Sequence, residues 1–169
     1  MLKPINMWIN DIADPFTGCF ADVIFVVDQS GSVGISNNNN SELVTSFLSQ
    51  LVGRLDIDSG ATRVGLVEFS SNVNTAEAFN LNAHSSVADV QSAISPLDYN
   101  GGGTNTAAAL RYVRTTMLTT SAGERTDVRN VVVVLTDGKS NINASQTPVS
   151  TVWKLIIIIM IDNIIYKAP

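Results

Sequence analysis

Asp22-Val23-Ile24-Phe25-Val26-Val27-Asp28 is an apolar, largely β-branched run that closes on a carboxylate. With Val23 to Val27 all apolar there is no polar face, so the run predicts a strand covered on both sides, as in a parallel sheet between layers of helices. Val131-Val132-Val133-Val134-Leu135, followed by Thr136-Asp137-Gly138, repeats the design. Arg63 to Phe69 is a third strand candidate and Asn74 to Phe79 a weaker fourth.

Helical patterns separate these strands. From Ser41 to Asp56, Leu43, Val44, Phe47, Leu48, Leu51, Val52 and Leu55 recur at three- and four-residue intervals, making one face apolar, and Ser41 can cap the start. Val87, Val90, Ala93 and Ile94 mark a shorter helix. Ala107, Leu110, Val113 and Met117 form a stripe within Thr104 to Leu118, just after the breaker Gly101-Gly102-Gly103. Strands alternating with helices predict an α/β fold, a Rossmann-like, doubly wound and mostly parallel sheet flanked by helices. Ligands of such sheets bind beyond the carboxyl ends of the strands, so Asp28 and Asp137 are expected on one face of the molecule.

The 169 residues, 45% hydrophobic and 15% charged, suit one globular domain with a sizeable core. A net charge of -5, with basic residues scattered singly, argues against nucleic acid and is better suited to a cation. The opening MLKPINMWINDIADPF has no unbroken apolar stretch, so no signal peptide is expected in this chain. Leu155 to Ile161 is far shorter than the ~20 apolar residues of a membrane span, so no membrane insertion is expected. The lone cysteine, Cys19, has no partner for an intrachain disulfide. Asn39-Asn40-Ser41 and Asn143-Ala144-Ser145 are acceptor triplets for N-glycosylation.

The chemistry lies in the loops. In Asp28-Gln29-Ser30-Gly31-Ser32-Val33-Gly34 the residues at i, i+2 and i+4 can face one side while the backbone stays extended, directing one carboxylate and two hydroxyls into one space. Hard divalent cations take oxygen ligands, and Mg²⁺ commonly keeps waters and few direct carboxylates. By itself Asp-x-Ser-x-Ser is a common loop pattern. Its position after a buried strand, with Thr104 after the glycine loop and Asp137 at the end of the second buried strand, makes a metal site of Asp28, Ser30, Ser32, Thr104 and Asp137 the expected reading. Lys139 and Asn141 could line the ligand surface. Glu68 could reach toward the site but reads better as a structural or solvated carboxylate, and His84, the lone histidine, as a solvated surface residue.

DVIFVVDQSGSVG, GGGTNT and VVVVLTDGKS, in this order, resemble the three metal-site segments of von Willebrand factor A domains, as found in extracellular matrix proteins such as matrilins and non-fibrillar collagens. The resemblance covers about Cys19 to Ser150. It implies direct coordination by Ser30, Ser32 and Thr104, with Asp28 and Asp137 acting mainly through water, and one position left for a carboxylate from a partner. It further implies an extracellular matrix or cell-surface partner, an extracellular location, Mg²⁺ as the ion (with Mn²⁺ or Ca²⁺ as alternatives) and a multidomain parent protein. Family domains often pair a cysteine at the Cys19 position with one after the last helix. TVWKLIIIIMIDNIIYKAP does not resemble the family's continuation, so the expected organisation is a linker at 1–18, a C-terminally truncated A domain at 19–153 and an Ile-rich tail at 154–169. Two readings of that tail stay open, a translated non-coding stretch and an edge strand.

The competing readings are a structural extracellular module with an idle metal site and a phosphate-handling enzyme. The enzyme fares worse. There is no G-x-x-x-x-G-K-[ST] loop, Gly31-x-x-Gly34 lacks the remaining glycine of the dinucleotide fingerprint, and His84 has no specific spacing to any serine. The expectation is therefore a binding module and not an enzyme.

Overall fold

The computed structural model describes residues 20–31, 40–95, 101–136, 140–146 and 156–160. Five strands form one sheet in the order β3-β2-β1-β4-β5. β1 (Ala21–Asp28) is central, with β2 (Thr62–Phe69) and β4 (Arg129–Thr136) parallel on either side. β5 (Ile156–Met160), drawn from the isoleucine run, continues the parallel set beyond β4. β3 (Val73–Phe79) turns back antiparallel on the opposite edge, with a register shift between Leu66 and Glu68 of its neighbour. The sheet is thus α/β and mostly parallel, as the alternation of buried runs and amphipathic helices predicts.

All of β1 is buried, and the two-residue period of a strand divides its apolar side chains between two layers. Val23, Phe25 and Val27, with Val64, Leu66, Val131 and Val133, meet α1 (Asn40–Val52) and α2 (Val87–Ile94) through Val44, Leu48, Leu51, Val90 and Ile94. Ile24 and Val26, with Val67, Phe69, Val132 and Val134, meet α3 (Thr106–Tyr112) and the π-helical turn Val113–Met117 through Ala109, Leu110, Val113 and Met117. A fully buried side chain of this size stabilises the fold by about 1.5–3 kcal/mol, so these two layers hold the sheet.

Helix ends depart from expectation in instructive ways. α1 begins at Asn40, placing Ser41 inside the first turn and not at the cap. It ends at Val52, and Leu55 and Ile57 stay buried from the following turn, which extends the apolar period past the helix itself. α3 is capped by Asn105, whose side chain accepts from the Ala108 N–H at 3.2 Å, so Thr104 precedes the cap and is not part of the helix. Gly65 in mid-strand has little room for a side chain: a Cβ there would lie 3.2 Å from both the Met117 methyl carbon and the Phe79 carbonyl oxygen.

A buried ion pair closes the amino end of the sheet. Arg125 reaches Asp22 at 2.7 Å, and its guanidinium also donates to the carbonyls of Ala21, Gly60 and Ala61 at 2.8, 3.0 and 3.0 Å. Asp22 is fully buried, and the Arg125 backbone N–H donates to its second oxygen at 2.7 Å. One guanidinium thereby ties the starts of β1 and β2 to the loop leading into β4.

Candidate cation-binding site

Parallel pairing sets the first part of the site. Val27 is in register with Leu135, which places Asp28 beside Thr136 at the carboxyl ends of β1 and β4. The Thr136 hydroxyl donates to Asp28 Oδ2 at 2.6 Å, and the Ser30 N–H donates to Oδ1 at 2.8 Å. Both oxygens of this buried carboxylate are therefore held by neutral donors, while each keeps lone-pair capacity for a further donor or a water. Beyond the strand the chain stays clamped: the Gln29 N–H donates to the Phe69 carbonyl at 2.7 Å and the Gly31 N–H to the Gly102 carbonyl at 2.8 Å.

That last bond brings the glycine loop against the β1 loop. Gly101 and Gly102 have φ of 68° and 90°, a region L side chains rarely adopt. A Cβ on Gly103 would stand 2.7 Å from the Ile142 side chain, so this position is glycine because another loop crosses closely over it. Ser70 and Ser71, after β2, support the loop from below. The Gly103 N–H donates to Ser71 Oγ at 2.8 Å, the Asn105 N–H to the Ser70 carbonyl at 2.8 Å, and Asn105 Nδ2 to the Ser71 carbonyl at 3.1 Å.

Thr104 is gripped by its backbone. Its N–H donates to Asn141 Oδ1 at 2.8 Å, and its carbonyl accepts from the Asn141 N–H at 3.0 Å, the Ile142 N–H at 3.1 Å and Ser140 Oγ at 3.1 Å. Among the described residues no hydrogen bond is made to its hydroxyl. The residue is 3% exposed, so that oxygen is presented by a backbone that cannot easily move.

Three segments expected to meet are thus joined: 28–31, 101–105 and 140–142. Asp28, Ser30 and Thr104 lie in this assembly, all three buried. Ser32, Asp137, Lys139, Asn39 and Cys19 fall outside the described residues. Asn141 is exposed, but its side-chain oxygen is engaged in holding Thr104.

One smaller expectation is narrowed and another changes. Glu68 is 1% exposed and bonded to Gln29 Nε2 at 3.4 Å and Asn74 Nδ2 at 3.1 Å, so it is structural and not solvated. His84 is half-buried, edge-on to Phe79 with ring centroids 4.9 Å apart, because the chain returns over the end of β3. The roles of Thr136, Ser70, Ser71 and Ser140 were not legible in advance. For Thr136, Ser70 and Ser71, a small polar residue closing or following an apolar strand run was the available signal.

The donor set is made of hard oxygens. Among the described residues no group of three or more His, Cys, Asp or Glu side chains could hold a metal. Among the described residues of the three joined segments, the side-chain oxygens of the expected set are the Asp28 carboxylate and the Ser30 and Thr104 hydroxyls, donors of the kind a hard divalent cation takes.

The profile of the von Willebrand factor type A domain matches residues 22–161. The chain belongs to this family. The matched span reaches past β5, so the isoleucine strand lies within it. Human (Homo sapiens) matrilin-1 is 38% identical over 119 residues, which are 70% of this chain and 23% of that protein. Mouse (Mus musculus) collagen alpha-4(VI) chain is 39% identical over 123 residues, 72% of this chain and 5% of that protein. The chain thus spans less than a quarter of these relatives.

Among solved structures, proximal thread matrix protein 1 from the mussel byssus superimposes with a TM-score of 0.69 at 32% identity, over 75% of this chain and 32% of that one. The same mussel protein with a zinc-occupied MIDAS motif superimposes with a TM-score of 0.64 at 30% identity, over 74% of this chain and 30% of that one. The Rossmann-like A-domain fold is therefore shared, and a divalent cation has been seen in a relative's site.

Proposed function

We propose that this A domain is a divalent-cation-dependent protein-binding module, with Asp28, Ser30, Ser32, Thr104 and Asp137 as the cation site. The observation that carries the reading is Thr104: its backbone is fixed by four hydrogen bonds while its hydroxyl has no partner among the described residues. A threonine held in this way is suited to serve as a ligand, since little ordering entropy is left to lose when a cation arrives.

When bound, the cation supplies an electrophilic centre that attracts an anionic oxygen. The chain's own residues set how strongly. Asp28, with Thr136 and Ser30 on its two oxygens, is suited to orient water in an outer position and not to quench the ion's charge by direct contact. Ser30, Ser32 and Thr104 offer neutral hydroxyls, leaving the positive charge available to a carboxylate from an extracellular matrix or cell-surface protein. Mg²⁺ is the proposed ion, the location proposed is extracellular, and the activity is binding without turnover.

Calorimetric titration of the chain with Mg²⁺ and Mn²⁺, beside Asp28→Ala and Thr104→Ala, tests the reading. Heats of binding present in the wild type and lost in both variants are expected. Equal heats in all three would refute the site.

A further inference from the structure

The loop that grips Thr104 runs straight into Asn143-Ala144-Ser145, the acceptor triplet that lies wholly within the described residues. Asn143 is exposed and has φ of 51°, in the left-handed region that asparagine tolerates better than most residues. Ala144–Gln146 form a single 3-10 turn, in which Ala144 and the hydroxyl-bearing Ser145 are exposed like the asparagine.

The amide of Asn143 does none of the structural work that several other asparagines of the fold do. Asn74, Asn82, Asn105 and Asn130 each use Nδ2 as a hydrogen-bond donor, to Glu68, Ser121, Asn105's neighbour loop at Ser71, and Glu124 respectively. Asn141 has its oxygen bound to Thr104. Asn143 makes no side-chain hydrogen bond among the described residues. Substituting its nitrogen therefore breaks no hydrogen bond among the described residues, and a bulky polar group there projects from an exposed turn.

We infer that Asn143 is an N-glycosylation site. In the reaction, Asn143 Nδ2 attacks the anomeric carbon of a lipid-pyrophosphate-linked oligosaccharide. The new N–C bond forms as the C–O bond to pyrophosphate breaks, the lipid pyrophosphate leaves, and the amide proton is lost to base. The product keeps the Asn143 carbonyl oxygen and one N–H, so its local geometry is unchanged. The sugar would stand two residues from Asn141, bordering the loop that holds Thr104.

The test is expression of the full chain in a eukaryotic cell, directed into the secretory route by a cleavable leader, followed by treatment with peptide N-glycosidase. That enzyme converts a glycan-bearing asparagine to aspartate. The expected result is aspartate at position 143 in peptide mass spectra and a mobility shift that Asn143→Gln and Ser145→Ala both abolish. Ser145→Thr, which preserves the acceptor triplet, should keep the shift, separating loss of the glycan from loss of the fold. Unmodified Asn143 in the secreted chain, including the case in which only Asn39 carries sugar, would overturn the inference.

Discussion

Thr136 and Asp28 stand at the ends of adjacent parallel strands, 108 residues apart in the chain, and share a hydrogen bond of 2.6 Å from hydroxyl to carboxylate. The contact exists because β1 and β4 are in register, so a residue with no evident role in the sequence decides how the key carboxylate is aimed. Replacing it with valine, which has nearly the same shape, removes the donor and leaves a buried acceptor. Thr136→Val is expected to lower stability by about 1.5–3 kcal/mol, the range for a hydrogen bond to a charged group. Mg²⁺ affinity by calorimetry should fall about 10–100-fold, as for loss of other outer partners of a metal site.

Asn141 makes a similar case from the other side of the site. Asn141→Ala frees the Thr104 N–H and loosens the ligand loop without touching any proposed ligand. The expected cost is about 1–3 kcal/mol for an unsatisfied donor, read by denaturant unfolding. Cation affinity should drop along with it. A variant with wild-type affinity would show that Thr104 does not need this grip.

Gly103 is constrained by space. Because a Cβ there would lie 2.7 Å from the Ile142 side chain and 3.0 Å from Asn141 Oδ1, Gly103→Ala must push one of the two aside. The expected destabilisation is about 1–3 kcal/mol, as for overpacking, and a crystal structure of the variant should show the 140–142 segment displaced from Thr104.

At the far end of β1, Arg125→Ala should destabilise the fold by about 3–5 kcal/mol, since it leaves Asp22 as an unpaired buried charge. Asp22 and Asp28 are separated by about 20 Å along the strand. The folded fraction of the variant should therefore bind Mg²⁺ with unchanged affinity, and a large affinity loss in calorimetry would mean that the two ends of the strand are coupled.

Cation and fold are also linked thermodynamically. Mg²⁺ at about a hundredfold excess over its dissociation constant should stabilise the wild type by about 2.7 kcal/mol. The gain should be reversed by EDTA and absent in Thr104→Ala, with urea unfolding as the readout.

Much of this was legible in the chain. Five apolar residues between Asp22 and Asp28, and the matching run before Thr136, could be satisfied only by a sheet covered on both faces, and the structure buries both runs. Asp28 and Ser30 could be named as site candidates from the end of a buried strand and Thr104 from the glycine loop before a helix, and the structure places all three in the joined segments. Helix ends were less legible: Ser41 falls inside the helix that starts at Asn40, and Thr104, which has the right side chain for a cap, leaves that place to Asn105 because its backbone is held by the 140–142 loop.

The sequence by itself determined the strand and helix periods, the oxygen character of the proposed site and the membership of Asp28, Ser30 and Thr104 in the segments that meet. Only the tertiary structure decided that Thr136 aims Asp28, that Asn141 holds Thr104 and that Arg125 neutralises Asp22. The physical reason is range. Periodicity and capping depend on neighbours within a few residues, whereas these hydrogen bonds join residues 108, 37 and 103 positions apart, and their partners are fixed only when the register of the parallel sheet is set.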